Sequence, residues 1–170
     1  DLRWIDVSSE IAFTYIDLYD QGQAGLACWL VNEWLSCSGD YDAVQVLRFY
    51  AVYRALVRAK VAALQARQAN ADLGQAIAYL ALAERLVTPP PARLIITHGV
   101  AGCGKSRASR RLMLGDQAAA TLRLRSDVER KRLFGLAPTA NSQSAPGSGI
   151  YAGGASDLTY QRLHALASEL

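Results

Sequence analysis

The chain has 170 residues, 51% of them hydrophobic, and a formal net charge of +3. That length fits one ordinary domain or parts of two, with apolar material enough for a core, and the small charge does not call for nucleic acid as a partner. The three cysteines, Cys28, Cys37 and Cys103, form no Cys-x-x-Cys pair, no amino-terminal signal pattern is present, and no apolar run reaches the ~20 residues of a membrane helix. A soluble, cytoplasmic protein with free thiols is expected.

The first half reads as helical. Apolar residues recur at helical spacing from Trp4 to about Tyr19, through Ile11, Ala12, Tyr15 and Ile16, until Asp20-Gln21-Gly22 ends the run. A second helix carries Ala27, Leu30, Val31, Trp34 and Leu35 on one face and breaks at Ser38-Gly39-Asp40. A third runs from about Asp42 to Arg67, with the apolar stripe Val46, Phe49, Tyr50, Tyr53, Val57, Val61, Leu64. Asn70-Ala71-Asp72 makes a turn and a helix cap. A fourth helix aligns Leu73, Ala76, Ile77, Leu80, Ala83 and Val87. Four helices joined by short turns predict mutual burial of these apolar faces. Asp6, Glu10 and Asp17 read as a solvated face, and residues 1–87 contain no histidine and no catalytic constellation.

Thr88-Pro89-Pro90-Pro91-Ala92 is the clearest boundary. Three prolines forbid helix and favour an extended spacer. Beyond it the sequence changes style, and a domain border is expected at 88–92.

Residues 93–106, Arg-Leu-Ile-Ile-Thr-His-Gly-Val-Ala-Gly-Cys-Gly-Lys-Ser, read as a buried strand that breaks at Gly99 into a glycine-rich loop. The loop has the spacing G-x-x-x-x-G-K-[ST], followed by a helix. Gly99, Gly102 and Gly104 allow close backbone approach to a ligand. The amides of Gly99, Val100, Ala101, Gly102, Cys103, Gly104, Lys105, Ser106 and Arg107 would then form an anion-binding nest at a helix N-terminus. This pattern implies binding of ATP, with Lys105 on the β- and γ-phosphates and the Ser106 hydroxyl on Mg²⁺. Cys103, inside the loop at a helix start, is placed for thiol chemistry, and its alkylation is expected to block nucleotide binding. No Asn-Lys-x-Asp base-reading motif is present, which disfavours a GTPase.

The loop's helix runs from Lys105 to about Leu114 and ends at Gly115-Asp116. Thr121–Arg125 then reads as a second strand, and Ser126-Asp127 opens a further helix, Val128–Phe134. A helix of ~10–12 residues leads ~15–18 Å away from the loop, and a strand of ~5–6 residues brings the chain ~17–20 Å back. Asp127 is therefore expected at the carboxyl edge of a parallel sheet, beside the phosphates. Two readings of Asp127 stay open: a helix N-cap, or a carboxylate that takes the proton of an attacking hydroxyl or supports Mg²⁺ through water. Arg125 and Arg130 could hold substrate or neutralise phosphate charge. Arg123, Lys131 and Arg132 read as a solvated face. His98 and His164 have no partners at metal-ligand spacing and read as structural. Leu136–Ala155, rich in Gly, Ser, Ala, Pro and Asn, reads as a flexible loop. Ser156–Leu170 reads as a closing helix.

The fold class expected is thus a partial α/β P-loop domain with a parallel sheet, preceded by an all-α segment. No later strand ending in a Mg²⁺-supporting acid is visible, and the chain reads as a fragment cut at both ends.

Several stretches resemble one known family. They are Leu2–Val7, Ile11-Ala12-Phe13, Leu47-Arg48-Phe49-Tyr50, Tyr53–Lys60, Gly99–Ser106, Arg125–Leu133 and Ile150-Tyr151. The family is the bacterial fusion of an aminoglycoside-phosphotransferase-like kinase domain with a P-loop kinase domain. The resemblance implies that residues 1–87 are the helical end of the first kinase's large lobe, whose His-Gly-Asp catalytic loop and metal-binding Asp would lie upstream. It implies that residues 93–170 are the N-terminal part of a kinase similar to gluconate, shikimate and polynucleotide kinases. In those relatives the acid at the position of Asp127 contacts substrate or acts as base. Arg107 departs from the pattern, since many relatives have Thr or Ser there. The function implied is transfer of the γ-phosphate of ATP to a hydroxyl of a small molecule, with Lys105, Ser106 and Asp127 as the working set and Arg130 as a further catalytic candidate. A nucleotide-binding module or remnant without transferase activity is the alternative. Polynucleotide acceptors are disfavoured by the modest charge.

Overall fold

The computed structural model describes residues 4–100, 102–145 and 147–170. Helix α1, Val7–Asp20, starts where the Asp6 carboxylate accepts the Ser8 amide at 2.8 Å. Helix α2 is Ala24–Ser38 and α3 is Ala43–Ala69, which ends on Asn70 in the left-handed conformation. Helix α4, Gly74–Val87, follows a turn in which Asp72 Oδ1 accepts the Gly74 amide at 2.6 Å. Then come α5, Lys105–Leu114, and α6, Ser126–Leu133. A 3-10 turn, Gly149–Tyr151, precedes α7, Gly153–Glu169.

Two compact units divide the chain. The first holds the residues up to Val31 and Asp42–Thr121; the second holds Asn32–Tyr41 and Leu122–Leu170. In the first, α3 packs on both α1 and α4. Its contact face is not the predicted stripe of large side chains. Leu47, Ala51, Ala55 and Ala59, four residues apart, are buried, whereas Phe49 is 66% and Tyr53 51% exposed. Small side chains let helix axes approach closely, which favours the alanine seam over the row of large side chains. On α4, likewise, Ala76, Leu82 and Ala83 are buried while Ile77 and Leu80 are exposed. The acids read as a solvated face are engaged: Asp6 caps α1, Glu10 meets Arg54 at 3.5 Å, and Asp17 pairs with Arg58.

The same unit contains α5 and the turn after it. Tyr15 and Tyr19 of α1 donate to the carbonyls of Ala119 (3.3 Å) and Gln117 (2.8 Å). The Asp116 carboxylate closes this turn by accepting from the amides of Ala118, Ala120 and Thr121 and from the Thr121 hydroxyl.

The parallel sheet is not formed: among the described residues every regular element is helical. Residues 93–100 run without secondary structure and exposed, with Leu94 at 75% and Ile96 at 80%. Thr121–Arg125 is not a strand either. A strand exists only through a ladder to a neighbour, and two amides of this segment are taken by side chains instead. Asp116 accepts the Thr121 amide at 2.8 Å. In the second unit, Asn32 Oδ1 accepts the Arg123 amide at 2.6 Å.

In that second unit, α7 packs on α6 and on the 3-10 turn. Its centre is a buried ionic knot. Glu129, 1% exposed, accepts from the Tyr41 hydroxyl at 3.0 Å, pairs with Arg132, and lies 3.8 Å from Arg162. Arg132 also donates to the Ser36 carbonyl at 2.7 Å. Burial, then the charge of Glu129, pushes the Tyr41 phenol up to about 12. The residues 136–155 read as a loop contain the 3-10 turn, and its Ile150 is buried.

Candidate functional site

The sequence-predicted residues lie in two places, each in its own unit. In the first unit the loop before α5 is curled. Gly99, Gly102 and Gly104 have φ of +146°, +78° and +91°, a region that L side chains rarely adopt. A Cβ on Gly99 would also come within 2.7 Å of Cys103 Sγ, so that side chain would have to turn aside to admit it. Gly104 is the residue preceding α5, and Lys105 and Ser106 are its first two helical residues. Their amides belong to the helix's unpaired N-terminal set. The Lys105 ammonium folds back over the loop and donates to the carbonyls of Gly99 and Val100, both at 2.7 Å, and lies 3.7 Å from Cys103 Sγ. Gly102, Cys103, Gly104, Ser106 and Arg107 are exposed. Ala101 lies outside the described residues. The structure thus brings Gly99, Val100, Cys103 and Lys105 together around one bend, in which the Gly99 and Val100 carbonyls hold the Lys105 ammonium and the Cys103 amide donates to the Val100 carbonyl at 3.4 Å. An anionic phosphate chain would compete with those carbonyls for the ammonium and meet the free amides at the start of α5.

Asp127 belongs to the second unit. It does not cap α6: the residue before the helix is Arg125, and no side chain caps it. Asp127 sits in the first turn, where Tyr151 donates to its Oδ1 at 3.0 Å and Lys131 pairs with its Oδ2 at 2.8 Å. Partial burial alone would raise its carboxyl. The hydrogen bonds from Lys131 and Tyr151, with the charges of Lys131 and Arg125, reverse this and hold it below the ordinary aspartate range. Arg130 turns toward the same corner: its Nε meets Thr159 Oγ1 at 3.3 Å, and its guanidinium lies 5.1 Å from the centre of the Tyr151 ring. The unit therefore gathers Asp127, Arg130, Lys131 and Tyr151.

Sequence reasoning missed Lys131 and Tyr151 at Asp127, and Tyr41 at Glu129. Lys131 was expected on a solvated face, yet its side chain is 13% exposed, as is that of Arg123, and Arg132 is at 25%. The Asp127–Lys131 spacing of four is itself a readable helix pair. Tyr151, 24 residues away, and Tyr41, 88 residues from Glu129, gave no local signal. Among the described residues no group of three His, Cys, Asp or Glu side chains could hold a metal ion, and no helix is long and apolar enough to cross a membrane.

Comparison with known proteins bears on these places unequally. Residues 94–170 match the model of a family described as an AAA domain, which gives that segment P-loop nucleotide-binding character; residues before 94 lie outside the match. Three curated relatives, one from Mycobacterium bovis and two from strains of Mycobacterium tuberculosis, are 29% identical over 154 residues, or 89% of this chain. Each is named only as an uncharacterized protein, and the chain spans 30% of their length. No solved structure matches significantly.

Proposed function

We propose that residues 93–170 serve an ATP-dependent phosphotransferase that moves the γ-phosphate to a hydroxyl of a small molecule in the cytoplasm. The observation that carries this reading is the curled loop, with three glycines at positive φ and the Lys105 ammonium inside the bend. The family match over 94–170 agrees with it. In this reading the free amides of the loop and of the start of α5 would cradle the phosphates, Lys105 would exchange the Gly99 and Val100 carbonyls for phosphate oxygens, and the Ser106 hydroxyl would be the residue to hold Mg²⁺. Bound Mg²⁺ would neutralise phosphate charge. Asp127 accepts the proton of the acceptor hydroxyl as its oxygen bonds to the γ-phosphorus; the bond from that phosphorus to the bridging oxygen breaks and ADP leaves. Arg130 offers a guanidinium to the transferring group.

The segment 1–87 is read as the helical end of an aminoglycoside-phosphotransferase-like domain, joined by the 88–92 linker. The reading rests on the sequence resemblance alone; the curated relatives align across both halves of this chain but carry no functional name. The three free cysteines suit a cytoplasmic setting.

Calorimetric titration with Mg-ATP tests the central reading. The wild-type chain should bind, and Lys105→Ala should weaken binding at least about tenfold, the scale of one charged phosphate contact. Equal affinity in the two proteins, or no binding by the wild type, would sink it. Binding without turnover of any hydroxyl acceptor would favour the alternative of a nucleotide-binding module, which the engagement of both Asp127 oxygens makes worth testing.

A further inference from the structure

The geometry points to Tyr151 and Lys131 as positioning residues for Asp127, one on each carboxylate oxygen, so that the carboxylate meets an acceptor hydroxyl in a single orientation. This rests on the reading of Asp127 as the proton acceptor.

Each contact is itself held. The Lys131 ammonium that meets Oδ2 at 2.8 Å also reaches the Pro138 carbonyl at 3.3 Å, and its side chain is largely buried. The phenol that meets Oδ1 belongs to the 3-10 turn, which is anchored by buried Ile150. The Tyr151 ring lies under the Arg130 guanidinium, Arg130 is tied to Thr159 of α7, and the fully buried Thr159 hydroxyl donates to the Ala155 carbonyl at 2.7 Å. A line of contacts thus runs from α7 through Thr159, Arg130 and Tyr151 to Asp127. A carboxylate oxygen has two lone-pair directions, so one contact on each leaves the other for substrate. The Asp127 side chain is 46% exposed, so substrate can reach it.

The groups that act on Asp127 are the Lys131 ammonium, the neutral Tyr151 phenol and the charge of Arg125, while Arg130 lies over the Tyr151 ring. Arg162 of α7 is directed to Glu129, which also takes Tyr41 and Arg132. The two acids of α6 therefore have separate sets of partners. Donors that bind the ionised form favour it, in line with the lowered carboxyl.

Carboxyl-carbon NMR titration of the whole 170-residue chain tests the inference, with Asp116 as an internal reference because it shares no partner with Asp127. Tyr151→Phe keeps the ring beneath Arg130, and Lys131→Met keeps most of the stem, so neither should disturb the helices by circular dichroism. The Asp127 midpoint should rise in both variants while Asp116 stays put. An Asp127 midpoint that does not move, or an equal movement of Asp116, overturns the assignment. Mg-ATP affinity should be unchanged in Tyr151→Phe. A wild type that takes no Mg-ATP overturns the nucleotide reading, and the carboxyl titration still reports on Tyr151 and Lys131.

Discussion

Asp116 shows how a single carboxylate can fix a turn. Its two oxygens accept from three amides and one hydroxyl between Ala118 and Thr121. Partial burial pushes the carboxyl up, and the Thr121 hydroxyl with the three amides more than offsets this, leaving it below the ordinary value. A folded value below the unfolded one, about 3.9, stabilises the fold above that pH, and the contribution fades as pH falls through the folded value. Asp116→Ala should therefore have a lower Tm than wild type at pH 7, and the gap should close in strong acid. A gap constant with pH would contradict this. At the same scale, Cys103 lies 3.7 Å from the Lys105 ammonium and against Gly99. Alkylating it should abolish Mg-ATP binding, and undiminished binding after complete modification would refute the placement. Glu129→Ala strips three partners of a buried charge and should cost about 3–5 kcal/mol in urea unfolding. A loss under about 1 kcal/mol, the value of an exposed pair, would show the knot to be solvated.

Among the elements, the helices were largely legible and their faces only partly so. Lys105–Leu114 appears with the predicted bounds, because glycine on either side and the helical spacing between leave little choice. The faces of α1 and α2 were readable in part: Ala12, Tyr15 and Ile16, and Ala27, Val31 and Leu35, are buried as their spacing suggests, while Trp4, read into the first run, precedes α1 and is 88% exposed. On α3 the spacing offered two seams, and the alanines won over the aromatic residues because neighbouring helices, absent from any local window, select the seam. The two apolar runs read as strands failed for a related reason. Periodicity reports that a segment would accept a sheet, whereas a ladder needs another strand beside it. Gly25 was equally invisible. A Cβ there would lie 2.0 Å from the Leu114 carbonyl oxygen, so α2 crosses the end of α5 backbone to backbone. Gly25→Ala should destabilise the chain by about 1–3 kcal/mol, the usual cost of overfilling a tight contact. A neutral effect on urea unfolding would show that α5 can shift without penalty.

For the molecule as a whole, the compact units cut across the sequence order. The second unit joins residues 32–41 to 122–170, and those ten residues bring Asn32 to Arg123, Ser36 to Arg132 and Tyr41 to Glu129. A chain cut at the proline linker leaves 93–170 without any of the three. That piece should lose the cooperative unfolding transition of the intact chain, and adding 1–87 in trans should restore part of it. A free 93–170 that melts as sharply, at the same temperature, would show the linker to be a true folding border. The candidate site shared this pattern of legibility. The loop was readable because its chemistry is local, while the contacts that hold Asp127 bridge distant stretches of sequence.

The outward stripe on α3 bears on how the protein behaves in concentrated solution. Phe49, Tyr53 and Leu56, at 66%, 51% and 46% exposure, give up little apolar contact in the fold and so add little to its stability. They do offer neighbouring molecules a sticky band. Charged replacements along that band should raise the saturation concentration and slow turbidity on storage, with the melting temperature nearly unchanged.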